Sequence, residues 1–368
     1  MKQVLYLTVA IIFFAMADSV AAQSGRVTPT PTPTPDDTVR IDTEEVKVNI
    51  LAFDEDDNFF RDVRPEDVVI NENNILHQAA SLRRLPANVL IVMDTGGELR
   101  SVKTLDQTRK TALAVINALR PEDNVAIMQY ADKVQLMEDW TNDRERLHAA
   151  VRRTKFGRRS VFVNAFRTAT EMLSKLPEDN RHMVLITDGT DSMTNSLDRT
   201  IAFRNVLSTD INVHVISYAK MEAAVIEPRT KALRNTPPPK AMPDEIAATL
   251  PPGVRDNAQS PKIGPTVILD RKHLQTMRQR KADLENADAA MLVLTEDTNG
   301  TFTDPITFDE MFAKAALIAK HIDAAYVLTY IPKFPLSQGG GERRIEVTSK
   351  RPGLVIHARR KLVIPSER

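Results

Sequence analysis

The stretch Val89-Leu90-Ile91-Val92-Met93 is an unbroken apolar run of strand length that ends on Asp94 and breaks into Thr95-Gly96-Gly97. A different periodicity follows at once. Leu105, Ala112, Leu113, Ile116 and Leu119 recur at three- and four-residue spacing, which predicts a helix. Strand, acidic turn and helix form the opening unit of a doubly wound α/β domain. In such sheets ligands gather outside the carboxyl ends of the strands, and Asp94 stands at such an end.

The design is repeated downstream. Met183-Val184-Leu185-Ile186-Thr187 runs into Asp188-Gly189-Thr190-Asp191. Between the two strands, Gly157-Arg158-Arg159-Ser160 opens a second helical pattern through Ala165, Ala169, Met172, Leu173 and Leu176. In these residues the chain resembles the von Willebrand factor type A (vWA) domains, over roughly residues 86–335. Its flanks resemble the secreted vWA-related proteins of Acidobacteria. The resemblance implies an α/β fold with a doubly wound, mostly parallel sheet of Rossmann-like character. It also implies a metal-ion-dependent adhesion site, written Asp-x-Ser-x-Ser after the first strand, with a Thr on a middle loop and an Asp after the fourth strand. Asp94 and Asp188 match the two aspartates, and Ser160 stands in the region of the Thr. Gly96 and Glu98 replace the two serines, so the motif is degenerate.

The flanks divide the chain further. Lys2, the apolar run Val4 to Met16 and the small residues Val20-Ala21-Ala22 have the layout of a secretory signal, with cleavage expected after Ala22. Thr-Pro repeats at 28–35 place an extended linker over residues 23–38. Alternation in Val46, Val48 and Ile50, and the strand-and-turn signal of Val68-Val69-Ile70 before Asn71-Glu72-Asn73-Asn74, predict a small β module over 39–84. Asp54-Glu55-Asp56-Asp57-Asn58 reads as a hairpin turn. A calcium loop would need glycine where Phe59 stands and glutamate where Pro65 stands. The vWA domain is assigned to 85–335, interrupted by a proline-rich insertion at about 222–266 that lacks a core pattern. Residues 269–287 look helical. Residues 336–368 are expected to form a hairpin, Arg344–Val347 against Leu354–His357, that joins the amino-terminal module.

Within the domain, Val125–Tyr130 is expected as the antiparallel edge strand, by resemblance. A helix at Met311–Ile322 and a strand at Ala325–Tyr330 should close the sheet. Asn299, where relatives often have glycine, can take the left-handed conformation that glycine supplies.

The chemistry of the strand ends leaves three readings open. Asp94, Glu98, Ser160 and Asp188 could hold a weakly bound Mg²⁺ or Ca²⁺. In that case Glu98 adds an anion where a neutral ligand is expected, and replacing Gly96 and Glu98 with serine should restore metal affinity. Alternatively, an arginine neutralises the carboxylates, with Arg100, Arg158 and Arg159 as the candidates, Asp191 being a further ligand-contacting residue. The third reading is a plain solvated cluster. Lysine plus arginine equals aspartate plus glutamate, 49 each, which points away from nucleic acid. No cysteine is present, so no disulfide can form. No Gly-x-Ser-x-Gly, His-Glu-x-x-His or phosphate-binding glycine loop occurs, and His182 and His214 suit packing rather than catalysis. The expectation is a non-catalytic, extracytoplasmic protein-binding module, secreted or periplasmic, with another protein as partner and no membrane span after signal cleavage. The alternative is a structural or assembly component of the cell envelope with a vestigial, metal-free site.

Overall fold

A computed structural model describes residues 45–364, apart from 57, 98–101, 103, 178, 194–195, 232, 235–250, 253, 256–265, 268–270, 335–340 and 360. The expected signal and linker, and most of the proline-rich insertion, lie outside the described residues.

The apolar runs become the strands of a six-stranded sheet: β5 (Asn88–Asp94), β6 (Asn124–Tyr130), β7 (Val134–Thr141), β8 (Arg181–Thr187), β9 (Asn212–Ser217) and β12 (Phe302–Thr303), in the order β12-β9-β8-β5-β6-β7. All neighbours are parallel except β6 and β7. Every residue of β5 and β9 is buried, as a strand covered on both faces requires. Val89, Ile91 and Met93 face one layer, built by α1 (Leu105–Ala118), α2 (Arg144–Arg153) and α7 (Phe308–Asp323). Leu90 and Val92 face the other, where α3 (Phe162–Ser174), α4 (Ser196–Leu207) and α6 (Arg271–Asp297) supply Phe166, Val206 and Met291. Each such side chain removed from water contributes about 1.5–3 kcal/mol. Caps set the helix starts. Thr104 accepts from Gln107 N, and one Asp143 oxygen accepts from the backbone of Glu145 and Arg146.

Two expectations about this sheet are corrected. The antiparallel edge strand is β7, not Val125–Tyr130, which is a parallel neighbour of β5. The strand Ala325–Tyr330 (β13) does not close the sheet. The place beside β9 goes to the short β12, and β13 leaves to pair antiparallel with β1 (Val46–Phe53).

That pairing starts a β-sandwich built from both flanks. One sheet has the order β15-β1-β13-β4, with β4 at Ser81–Arg83 and β15 at Val355–Ala358. The other has the order β16-β14-β2-β3, with β2 at Val68–Glu72, β3 at Ile75–His77, β14 at Gly341–Ser349 and β16 at Lys361–Ile364. Val48, Ile50, Ile70, Leu328, Ile345 and Val347 fill the space between. The expected hairpin at 344–357 is not formed. β14 pairs with β2 and β16, while β15 pairs with β1 in the opposite sheet. Alternation fixes which face of a strand is buried and leaves its hydrogen-bonding partner open. Here β1 and β2 each offer an edge, and the turn at Gly353 (φ 75°) carries the chain from one sheet to the other.

The acidic stretch after β1 is a turn. Asp54 Oδ1 accepts from Asp56 N and Asn58 N at 2.9 and 2.8 Å, and these backbone bonds hold its carboxyl below the usual range. Asn73 and Asn74, both at positive φ, make the β2–β3 turn. Asn299 is left-handed at φ 58°, and its amide ties the two bodies of the fold together through Asn49 O and His357 O. After β9 come α5 (Ala219–Ile226), a 3₁₀ turn at Glu227–Thr230, and the paired two-residue strands β10 (Leu233–Arg234) and β11 (Thr266–Val267). The helix expected at 269–287 runs on to Asp297, because Ala287, Met291 and Leu294 continue its buried stripe.

Candidate functional site

Four features meet at the carboxyl ends of β5 and β8: Asp94, the loop entering α3, the loop leaving β8, and the middle of α6. Asp94 is fully buried. Its Oδ1 accepts from Gly96 N at 3.0 Å and its Oδ2 from the Thr187 hydroxyl at 3.3 Å. Thr187 in turn pairs with the Tyr130 hydroxyl at 2.7 Å. Burial and the Asp94 charge push the Tyr130 hydroxyl well up, so it serves as a neutral donor.

Asp188 is 2% exposed. Its Oδ1 accepts from the Thr190 backbone (3.0 Å) and hydroxyl (2.6 Å). Its Oδ2 receives Arg280 Nη2 of α6 at 2.9 Å, while Arg280 Nη1 donates to the Thr190 hydroxyl at 2.6 Å. This fork of planar donors on a carboxylate and its neighbouring hydroxyl is the geometry to which a guanidinium is suited. Ser160 joins the same loop. Its hydroxyl donates to Thr190 O at 3.0 Å, and its backbone N–H donates to the Ser192 hydroxyl.

Of the residues expected at the site, Ser160 and Asp188 are thus linked through Thr190, and Asp94 is held on the adjacent strand end through Thr187. Asp191 has a structural role: its two oxygens accept from Val163 N and Met193 N at 2.7 Å, which caps the start of α3. The backbone N–H groups of Arg158 and Arg159 donate to Asp132, and the cation on Asp188 is Arg280, from a helix that no motif marked. One signal was there to be seen. Arg280 falls three residues after Met277 and four before Leu284, within the apolar stripe of its helix, where an arginine needs a buried partner. Glu98 and Arg100 lie outside the described residues.

Two glycines fit the packing closely. A β-carbon on Gly96 would overlap the carbonyl oxygen of Arg159 and come within 2.8 Å of Ala131 Cα. One on Gly189 (φ 68°) would come within 2.5 Å of Met291 Cε, so α6 lies directly on the Asp-Gly turn. Nearby, the hydroxyl of Ser217, at the end of β9, donates to Asp288 of α6. Burial pushes this carboxyl up to about 6, partly offset by the Ser217 bond and assisted by Asp304 and Asp188.

Between α6 and the strand ends lies an open cleft of about 1070 Å³, lined by the 158–160 loop, the 188–192 loop, Arg199 and one face of α6. Among the described residues, no group of three or more His, Cys, Asp or Glu side chains is placed to hold a metal ion. No described helix is long and apolar enough to cross a membrane.

Residues 89–191 match the family of von Willebrand factor type A domains, so the chain carries a vWA domain. No curated protein matches. Similar solved structures include an aerotolerance-related membrane protein from Bacteroides fragilis (14% identity, TM-score 0.36, covering 64% of this chain and 98% of that one). BatB from Bacteroides thetaiotaomicron gives the same values. A von Willebrand factor type A protein from Catenulispora acidiphila shares 10% identity at TM-score 0.40, covering 89% of this chain and 75% of that one.

Proposed function

We propose that this chain is a non-catalytic, extracytoplasmic protein-binding module in which an internal arginine takes the place a divalent ion would have. The single observation that carries this reading is the Arg280 fork on Asp188 and Thr190, with the arginine side chain 11% exposed and the aspartate 3%. A divalent ion needs oxygen ligands with free lone pairs facing one point. The residues fit that need poorly. Asp188 Oδ2 faces a guanidinium, the Ser160 hydroxyl is directed to Thr190 O, and residue 96 brings no hydroxyl. Glu98 would have to supply what these do not.

Export follows from the charged start, apolar run and small-residue site of residues 1–22, and from the resemblance to secreted vWA-related proteins. The partner is another protein. The test is capture of a partner from envelope extracts on the immobilised chain, with and without EDTA, and on a chain carrying Arg159→Glu with Lys272→Glu. The reading expects retention in EDTA and loss on the double variant. Loss in EDTA would restore the metal reading. Retention by the double variant would favour a structural component with a vestigial site.

A further inference from the structure

We propose that the cleft between α6 and the ends of β5 and β8 seats an extended, carboxylate-rich peptide segment of the partner protein; this rests on the protein-binding reading above. The first support is charge. Among the described residues, five basic side chains line the cleft against three carboxylates. The carboxylates are already engaged: Asp188 by Arg280, Asp191 by the start of α3, and Asp283 by Gln279 Nε2 at 2.8 Å on its own helix. Arg159 and Lys272 are exposed and make no ion pair with any described residue. The Arg199 guanidinium is steadied over the Phe162 ring, 5.7 Å from its centroid, with its charge still available to a ligand. Among its described residues the cleft therefore has a surplus of positive charge, in a chain whose overall charge is zero.

The second support is the wall. Lys272, Gln275, Thr276, Gln279, Asp283 and Asn286 recur at three- and four-residue spacing, so one polar stripe of α6 lines the cleft. The opposite stripe, through Leu274, Met277, Leu284 and Met291, is buried. Amide side chains both donate and accept, which suits the backbone of a peptide. The stripe is about 21 Å long at the helical rise, a span that about six extended residues cover. A volume of about 1070 Å³ lies at the upper end of small-molecule sites and accommodates a chain segment.

The test is fluorescence anisotropy with fluorescein-labelled hexaglutamate on the full chain, with hexaglutamine and hexathymidylate as comparison probes. Hexaglutamate is expected to bind at least about tenfold tighter than hexaglutamine, and to weaken with added salt. Arg159→Glu with Lys272→Glu should reduce that binding about tenfold or more, while Lys350→Glu in the β-sandwich leaves it unchanged. Unaltered melting of each variant shows that the fold survives the charge reversal. Equal binding of hexaglutamine, tighter binding of hexathymidylate, or undiminished binding by the double variant would overturn the proposal. If hexaglutamate fails to bind but a captured partner is still lost on the double variant, only the acidic class is wrong. If the captured partner is retained by the double variant, the cleft is not where it binds, and the proposal falls together with the reading of this face as the binding site.

Discussion

The carbonyl oxygen of Arg159 occupies the place that a β-carbon on residue 96 would need. The loop entering α3 thus closes down on the turn after β5 because residue 96 is glycine. Gly96→Ser is therefore expected to destabilise the fold by about 1–3 kcal/mol, as overpacking does. Serine at 96 and 98 together should not create a Mg²⁺ site, contrary to what the sequence alone suggests. Urea unfolding and calorimetric Mg²⁺ titration of the variants check both outcomes. A stable double variant that binds Mg²⁺ would show that the loop yields.

Arg280→Gln removes the cation from a buried carboxylate. Breaking a buried pair from one side costs about 3–5 kcal/mol, and the near-complete burial of Asp188 places this pair in that class. Arg280→Met combined with Asp188→Asn should cost less than the single change. The Gln variant should also gain thermal stability in added Mg²⁺ where the wild type gains none, since an external cation can then approach Asp188. Melting curves with and without Mg²⁺ decide the point.

Acid should destabilise the protein through two histidines. His182 Nδ1 lies 3.0 Å from His214 Nε2, and His182 Nε2 lies 2.8 Å from Asn180 Oδ1. The Asn180 amide is oriented by its bond to Leu85 O, so the ring protons run from His214 to His182 to Asn180. Burial holds His182 down to about 3, with Arg120 adding to the effect, and His214 well below its ordinary value, with His182 and His321 adding. The unfolded chain takes up protons near pH 6.5 and the folded chain does not. Stability is full above that pH and falls as pH drops through it, by about 1.4 kcal/mol per unit for each histidine. Asp288 acts in the opposite sense. Its raised folded value makes stability fall as pH rises from about 4 to about 6. The comparison is therefore between wild type and His182→Gln with His214→Gln. Urea midpoints at pH 7.5 and 5 should converge in the variant, and an unchanged pH slope would refute the account.

The β-sandwich carries its own buried pair. Arg343 Nη1 lies 2.6 Å from Glu72 Oε1, with both side chains under a tenth exposed, and His77 stands 3.4 Å from the other carboxylate oxygen. Arg343→Met is expected to cost about 3–5 kcal/mol by leaving Glu72 without its guanidinium. Chemical unfolding measures the loss. A cost near zero would overturn the account.

The sheet was legible because β5 and β8 carry unbroken apolar runs, Val89–Met93 and Met183–Ile186, and β9 carries Val213, Val215 and Ile216, and such segments have few other destinations. Asp94, the last residue of β5, and Asp188, the residue that follows β8, were legible for the same reason, since the end of an apolar run places them. Arg280 was not. It meets Asp188 across 92 residues of sequence, with no fixed spacing to connect them. That the strands of 344–357 join the amino-terminal strands was legible; that β14 and β15 enter opposite sheets, and that β13 pairs with β1, was hidden because alternation records burial and not pairing.

The sandwich also imposes an order on folding. β1 is synthesised early, yet both of its partner strands, β13 and β15, come more than 250 residues later by their registers, Ile50 with Tyr326 and Ile50 with Ala358. Pairings this distant in sequence form slowly. The parallel sheet can assemble from neighbouring segments while Val48 and Ile50 still wait for cover. Until the last strands arrive, β1 is an apolar ribbon with two open edges, the state in which one copy of this chain can capture another.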